Sequence, residues 1–504
     1  MFFLKKKRAL LVQLLIFVFT FIFFMKIFPL IPYDGDDWYF QGAMRNPWPM
    51  WGVFNPSKVL PEVLEPLSGY FGAFVIYPLT HNYVASLSFS SVLIITIAIT
   101  LLMALIYRYI KIKFEVSKSK ALLLELLFFI SFFLIFKKNN EPSYFGFWCQ
   151  DLNCYFNYLI PGCLNAGLLL YFETVNEKYY VLKDNRNNYC QIGILIILIY
   201  FAMFSSIQLN VLFGGYSLIK IVENFVLHKN LNIAKRLSTK WPFVLSVVFW
   251  GTSLLFDFNG GRANRVSNSK LKLNLFQNIK NVFSQYQIMI HQTNKIFLII
   301  CLVLVCYGLF TSIKNRNEKK ENLSYLVIFL TTIITICFYT ILYTKAPVTY
   351  ASRPDAMWGA TFLGLFLAVQ GFTFLLKKIE PLAILVPFLA LFMAIISFNF
   401  NNGYILKDNS DAFTSYKYDN YVINRIVNAE HHGKSVVKVK VPKENNVANW
   451  PHPLNQAQWM QNTLYSHGLI RHRIKVIFVP NKKQNKIIYS QGKSEPFTDL
   501  EVHQ

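Results

Sequence analysis

Acidic side chains are scarce in this 504-residue chain. Asp and Glu number 26 against 50 Lys and Arg, and charged residues of both signs make up only 15%. An ordinary globular protein carries about 25%. The shortfall excludes a soluble enzyme and a charge-rich disordered protein. Cysteine is sparse too: seven scattered residues cannot staple a disulfide-dense secreted module. The chain has no phosphate-binding loop ending in Gly-Lys-Ser/Thr, no dinucleotide-binding glycine fingerprint and no nucleophile elbow. It also lacks an internal repeat and any regular series of acids or arginines within its apolar runs. Those absences weigh against a repeat-built transporter, a proton-driven pump and a voltage sensor.

What is present is apolar. Hydrophobic residues reach 54% and aromatic ones 17%, with 48 Phe. The net charge of +24 lies in short basic clusters between long apolar runs. That layout describes a polytopic membrane protein rather than a nucleic-acid binder, and the long runs exclude a porin-type barrel. A helix needs about 20 apolar residues to cross a bilayer. The spacing predicts eleven such spans, near 9–30, 84–107, 121–136, 154–175, 191–207, 209–227, 241–257, 296–313, 324–344, 357–376 and 381–399.

The first run follows Lys5, Lys6, Lys7 and Arg8 without a clear small-x-small cleavage site, so it reads as a retained anchor. With the N-terminus inside, the inner segments hold 22 Lys and Arg and the outer ones before residue 400 hold 12. The bias predicts an N-in topology with the C-terminus outside. Three outer segments are then long: 31–83, 258–295 and the tail 400–504. In the tail, Val437, Val439 and Val441 alternate with Lys438 and Lys440, as in a strand, and Arg473 to Pro480 reads as a second. Tyr418, Val422, Ile426 and Ala429 share a helical face that ends near Gly433. The expected fold is an all-α polytopic membrane domain over 1–399, with about 11 transmembrane helices and an acidic first outer loop at 31–83. A small α/β extracytoplasmic domain follows over 400–504.

The first outer segment opens with Pro32-Tyr33-Asp34-Gly35-Asp36-Asp37-Trp38-Tyr39. Three carboxylates within four positions repel, so at least one should bind its proton more tightly unless a cation compensates. A carboxylate held near a hydroxyl serves as a general base, and a pair can hold a divalent metal against phosphate. The plainer reading is a hydrated acidic turn. Short semi-apolar stretches broken by Pro and Gly follow, over 59–78, and suit helices lying in the outer interface.

An acidic motif after the first span, then interfacial helices, then the second span, resembles the GT-C class of membrane glycosyltransferases. Gly35-Asp36-Asp37-Trp38 is similar to the GDDW-type motif of bacterial GT-C-like proteins. Motif detail covers the first 110 residues; beyond them the likeness is one of span number and orientation. The resemblance implies a bacterial cytoplasmic-membrane enzyme that decorates surface glycans. Its donor would be a polyprenyl-phosphate-linked sugar, and its acceptor a glycan or glycolipid on the outer face. It implies an acidic base, with Asp36 first, Asp37 positioning substrate or a possible divalent cation, and Asp34 third.

A phosphate leaving group needs positive charge outside. Arg353 is the first candidate and Arg262 with Arg265, beside a Gly pair, the second. Surface pairing with acids or lipid head groups is the bland reading of all three. Glu62 and Glu65 are three apart and would share a helix face. Both could bind acceptor hydroxyls, Glu62 first, although a solvated face explains both. Trp38 could contact substrate. Lys220 and Glu223 should pair near the inner boundary, whereas Glu125, Glu173 and Asp257 need no special role. Cys149 and Cys154 share an outer loop where a disulfide could close. The alternatives are a transporter or flippase of lipid-linked glycans and a polysaccharide polymerase that relies on Arg262 and Arg265. For an enzyme, Asp36 and Asp37 should face an outward cavity with Arg353 on its far wall. The tail should be an accessory domain.

Overall fold

Asn82, Ser117 and Asn294 each accept the backbone N–H three residues ahead, and so start the helices Tyr83–Lys113, Lys118–Leu134 and Lys295–Lys314. Such caps satisfy N–H groups that a helix leaves unpaired. The computed structural model describes residues 2–45, 56–138, 141, 143–175, 186–227, 237, 240–259, 275–315, 320–379, 386–397, 412–442, 456–481 and 483. In chain order the membrane part begins with α1 (Phe2–Ile22), which ends in a π-turn over Phe23–Ile27, and α2 (Gly35–Gly42). Next come α3 (Val59–Phe71), a π-turn at Gly72–Ile76, α4 (Tyr77–Thr80), α5 (Tyr83–Lys113) and α6 (Lys118–Leu134). The short α7 (Leu152–Cys154) leads through a third π-turn, Tyr155–Leu159, into α8 (Ile160–Thr174). Then follow α9 (Arg186–Met203), α10 (Ile207–Leu227), α11 (Trp241–Asn259), α12 (Leu275–His291), α13 (Lys295–Lys314) and α14 (Lys320–Tyr343). The helices α15 (Trp358–Lys378) and α16 (Val386–Ser397) complete this part.

Each of the eleven expected apolar runs contains a helix among its described residues. Among the described residues, seven helices are long and apolar enough to cross a membrane: Arg8–Ile27, Val59–Thr80, Tyr83–Lys113, Trp241–Phe258, Lys295–Lys314, Lys320–Tyr343 and Trp358–Lys378. The fold is thus that of a helical, polytopic membrane protein. Six of the seven coincide with expected spans; Val59–Thr80 does not. The sequence predicts short interfacial pieces there, but Pro61 sits at its start, α3 runs through Gly69 and the π-turn takes in Gly72, so it runs on for 22 residues. It leaves Leu67, Phe71, Phe74, Val75 and Leu79 exposed. Among the other expected spans, α6 has only 17 residues, and the fourth is interrupted by its π-turn.

Phenylalanine builds much of the core. Phe23 meets Phe133 and Phe145 edge-on, each at 5.2 Å between ring centres, and Phe132 stacks on Phe147 at 4.2 Å. These contacts join α1, α6 and the chain before α7. At the other ends of the helices, the Glu173 carboxylate of α8 gathers Lys113 at 2.9 Å and Lys220 at 3.0 Å. Tyr216 and Ser324 donate hydroxyls to the same carboxylate at 2.8 and 2.6 Å. The expected Lys220–Glu223 pair forms at 2.9 Å. Glu173, read as having no special role, is the centre that ties α5, α8, α10 and α14 together.

The tail is α/β. Its described residues form α17 (Ala412–His431), β1 (Val436–Pro442), α18 (Gln456–Ser466) and β2 (Lys475–Asn481). The strands pair in parallel with Val439 opposite Phe478, and α18 supplies the crossover that a parallel pair requires. Tyr418, Val422, Ile426 and Ala429 are all buried, as their spacing predicts. Gly433 ends α17 with φ of 68°, the left-handed conformation that glycine adopts readily. The tail shares its core with α2 and the start of α5: Trp38, Tyr83, Val84 and Leu87 pack with Met460, Leu464 and Ile470.

Candidate functional site

The acidic segment is a capped helix start. Asp34 is the N-cap of α2, and its Oδ1 accepts the Asp36 N–H at 2.8 Å. Asp37 reaches back, and its Oδ2 accepts the N–H groups of Tyr33 and Asp34, both at 3.1 Å. This reciprocal arrangement is a capping box. The other Asp37 oxygen accepts the Asn153 N–H of α7 at 2.7 Å. Asp34 and Asp37 are buried, whereas Asp36 is exposed. Burial and then the charges of Asp37 and Asp151 push the Asp34 carboxyl well above the usual carboxylate range. Burial and Asp151 push Asp37 up as well, against the opposing pull of its three N–H donors.

Around these acids stand further carboxyls. Asp151 caps α7, its Oδ1 accepting the Cys154 N–H at 2.6 Å. Glu65 of α3, expected on a solvated helix face, is instead wholly buried, because α3 packs against α2 and α5, and its oxygens make no hydrogen bond. Asp37, Asp151 and Asp36 are within its electrostatic reach, and the Gln41 side chain lies beside it. Asp419 of α17 is also wholly buried, facing the Trp38 indole without a well-formed hydrogen bond. Burial and then the charge of Asp37 push its carboxyl up. Two local signals were available. Asp151 precedes a helix start as Asp34 does, and Glu65 sits between Pro61 and Pro66 in an apolar stretch.

Cations approach from two sides. Lys58 Nζ donates to Asn157 Oδ1 at 2.8 Å, and Asn157 donates to the Asn153 side chain at 2.5 Å. Arg353 grips Asp355 with Nη2 at 2.6 Å and Nε at 3.1 Å, and packs over the Tyr350 ring at 4.8 Å. The Asp355 charge holds the guanidinium above even its ordinary high range, against the effect of burial. Arg353 Nη2 also reaches Cys154 Sγ at 3.4 Å, and Cys154 Sγ lies 3.3 Å from Asp151 Oδ2. Arg353 is thereby brought to the acidic group through α7.

Other expectations fare differently. Trp38 is wholly buried, because α18 docks over α2 and the Thr463 hydroxyl donates to the Trp38 carbonyl, so its ring is core rather than a substrate surface. Glu62 is paired with Arg45 at 2.7 Å, which accounts for both charges. Cys149 and Cys154 are both free thiols; the Asp151 cap turns Cys154 toward Arg353 instead. Arg262 and Arg265 lie outside the described residues. Among the described residues no group of three or more His, Cys, Asp or Glu is arranged to hold a metal ion. Sequence reasoning also missed His467 of the tail. Its Nε2 donates to the Gln41 carbonyl at 3.0 Å, so Nδ1 accepts from the Tyr83 hydroxyl at 2.6 Å. Burial lowers the imidazole pKa to about 4. A cavity of about 920 Å³ lies between α4 and α17, and its lining includes His467 but none of the acids.

No protein-family model matches this chain, and no curated protein matches it significantly.

Proposed function

We propose that this chain is an integral-membrane glycosyltransferase of the GT-C type, with eleven crossings, the N-terminus inside and the tail outside the bacterial cytoplasmic membrane. It transfers a sugar from a polyprenyl-phosphate carrier to a glycan or glycolipid acceptor on the outer face. The observation that carries the reading is Asp36. It is the exposed member of the acidic triplet, and sits in the first turn of a helix fixed at both ends by buried contacts.

In this reading Asp36 takes the proton of an acceptor hydroxyl. The hydroxyl oxygen bonds to the anomeric carbon, the bond from that carbon to the phosphate oxygen breaks, and the lipid phosphate leaves. A single displacement inverts the anomeric centre. Asp34 and Asp37 hold the helix turn. Arg353 keeps Nη1 outside its hydrogen bonds with Asp355 and Cys154, and in this reading that nitrogen binds the donor phosphate. The polyprenyl chain is the reason for a membrane-embedded catalyst.

The test is transfer of radiolabelled sugar from polyprenyl-phosphate donors in proteoliposomes, alongside surface-glycan composition with and without the gene. Loss of one sugar from the surface, restored by the wild-type chain and not by Asp36→Asn, supports the reading. Movement of an intact lipid-linked glycan across the bilayer with no new glycosidic bond would replace it with the transporter reading.

A further inference from the structure

The cavity between α4 and α17 has a lining unlike that of a lipid groove. Phe74, Tyr77, Tyr416 and Tyr421 offer aromatic faces. Asn82, Asn420 and Asn424 place amides between them, and no acidic residue takes part in the lining. Two contacts pre-arrange the walls. Asn82 Nδ2 donates to the Tyr416 hydroxyl at 2.5 Å, bridging the membrane part and the tail, and Asn420 Nδ2 donates to the Tyr416 carbonyl at 2.8 Å. Asn424 is exposed, so its amide is open to a ligand.

We propose that this groove binds a carbohydrate chain, the glycan part of the acceptor. Sugar rings carry apolar C–H faces and a rim of hydroxyls. Flat aromatic rings fit the first, and amides, which donate and accept at once, fit the second. A phospholipid head group would call for a cluster of cations, and the lining has one lysine, Lys417. The volume of about 920 Å³ is ample for an oligosaccharide. The groove is also joined to the acidic helix. His467 lines it and holds the Gln41 carbonyl, five residues along α2 from Asp36, a rise of about 7.5 Å.

The role as acceptor rests on the glycosyltransferase reading; binding itself does not. The experiment is retention of the detergent-solubilised full-length protein on an array of neutral and anionic bacterial oligosaccharides, with zwitterionic and anionic phospholipid vesicles as a parallel arm. Retention on at least one glycan class is expected, weakened roughly two- to tenfold by Tyr77→Ala and by Asn424→Ala. Asn424 is exposed, so that variant tests the groove without risk to folding. Retention by no glycan overturns the proposal, as does retention that both groove variants leave intact or binding to vesicles alone. Glycan binding without sugar transfer by the wild type would sink the catalytic reading and leave the groove standing. Transfer without glycan binding would do the reverse.

Discussion

Asp37 Oδ1 accepts the Asn153 backbone N–H at 2.7 Å, across 116 residues of sequence. The same carboxylate caps the start of α2 through Tyr33 and Asp34. One buried side chain therefore fixes the turn after the first apolar run and fastens it to the start of the fourth. Asp36, its neighbour, is left exposed on a turn that cannot move independently of either.

Asp37→Ala should destabilise the protein. It strands three backbone N–H groups, of which two belong to buried residues, Asp34 and Asn153. Each unpaired buried donor costs about 1–3 kcal/mol. A clearly lower apparent Tm in detergent is expected, with Asp36→Ala close to wild type. Equal Tm values for the two variants would show that the capping box contributes little.

Glu173→Gln should be among the most disruptive conservative changes. The amide can still accept one hydroxyl, but Lys113 loses its ion-pair partner and Lys220 keeps only Glu223. Breaking a buried pair costs about 3–5 kcal/mol, and the residual exposure of the two lysines, 18% and 16%, lowers that figure. Tm should fall, with Glu223→Gln giving the smaller loss because Lys220 retains Glu173. The opposite order would contradict a Glu173-centred cluster.

Gly371 of α15 lets α13 approach. A methyl group there would run into the Leu304 carbonyl, a backbone atom that cannot rotate away, whereas at Gly364 it would meet nothing within 4 Å. Close backbone approach through small residues is a recurrent device of membrane helix packing. Gly371→Ala should reduce folded yield and Tm, while Gly364→Ala should hold or slightly raise both through better helix propensity. Comparable yields from both would remove the tight α13–α15 contact from the account.

The tail should loosen in acid. His467 is neutral in the docked state, and burial has lowered its pKa to about 4 from an unfolded value near 6.5. A depressed histidine pKa means that the undocked or unfolded chain binds the proton first. Docking is thus at full strength above about pH 6.5 and weakens as the pH falls toward 4. Protease susceptibility of the tail should rise across that window. His467→Gln should flatten the profile between pH 6.5 and 4; an unaltered profile in that variant would assign the transition to other groups.

Much of this architecture is legible in the sequence, because the strongest signals are local. The apolar runs became helices, Val437, Val439 and Val441 a strand, and Tyr418, Val422, Ile426 and Ala429 a buried helix face. The acidic triplet was found, but the division of labour within it was only half legible. A capping box can be read from Asp34 and Asp37 at their three-residue spacing, yet the burial of both depends on α7 and the tail. The rest was hidden by distance along the chain. Trp38 looks like an interfacial aromatic until α18, more than 400 residues later, covers it. Glu65, Asp151 and Asp419 look unremarkable one by one, and only folding gathers them around Asp37. The spacing of Cys149 and Cys154 suggested closure, but the intervening Asp151 caps a helix and aims Cys154 elsewhere.

The acids should separate by variant kinetics. Asp36→Asn keeps the size of the side chain and touches no buried hydrogen bond, since its backbone N–H rather than its carboxylate binds Asp34. It removes only a base. General-base assistance is worth roughly 10²–10⁴-fold in rate, so sugar transfer should fall by that order with Tm and membrane insertion unchanged. Asp34→Asn and Asp37→Asn act through position and should lower transfer and Tm together. Arg353→Lys keeps the charge but loses the forked grip on Asp355, and should raise the apparent KM for the lipid-phosphate donor more than it lowers kcat. Transfer by Asp36→Asn within a few-fold of wild type would remove Asp36 as the base. A loss confined to Asp37→Asn at unchanged Tm would move the proton transfer to the buried carboxyl, against its saturation by three backbone N–H groups.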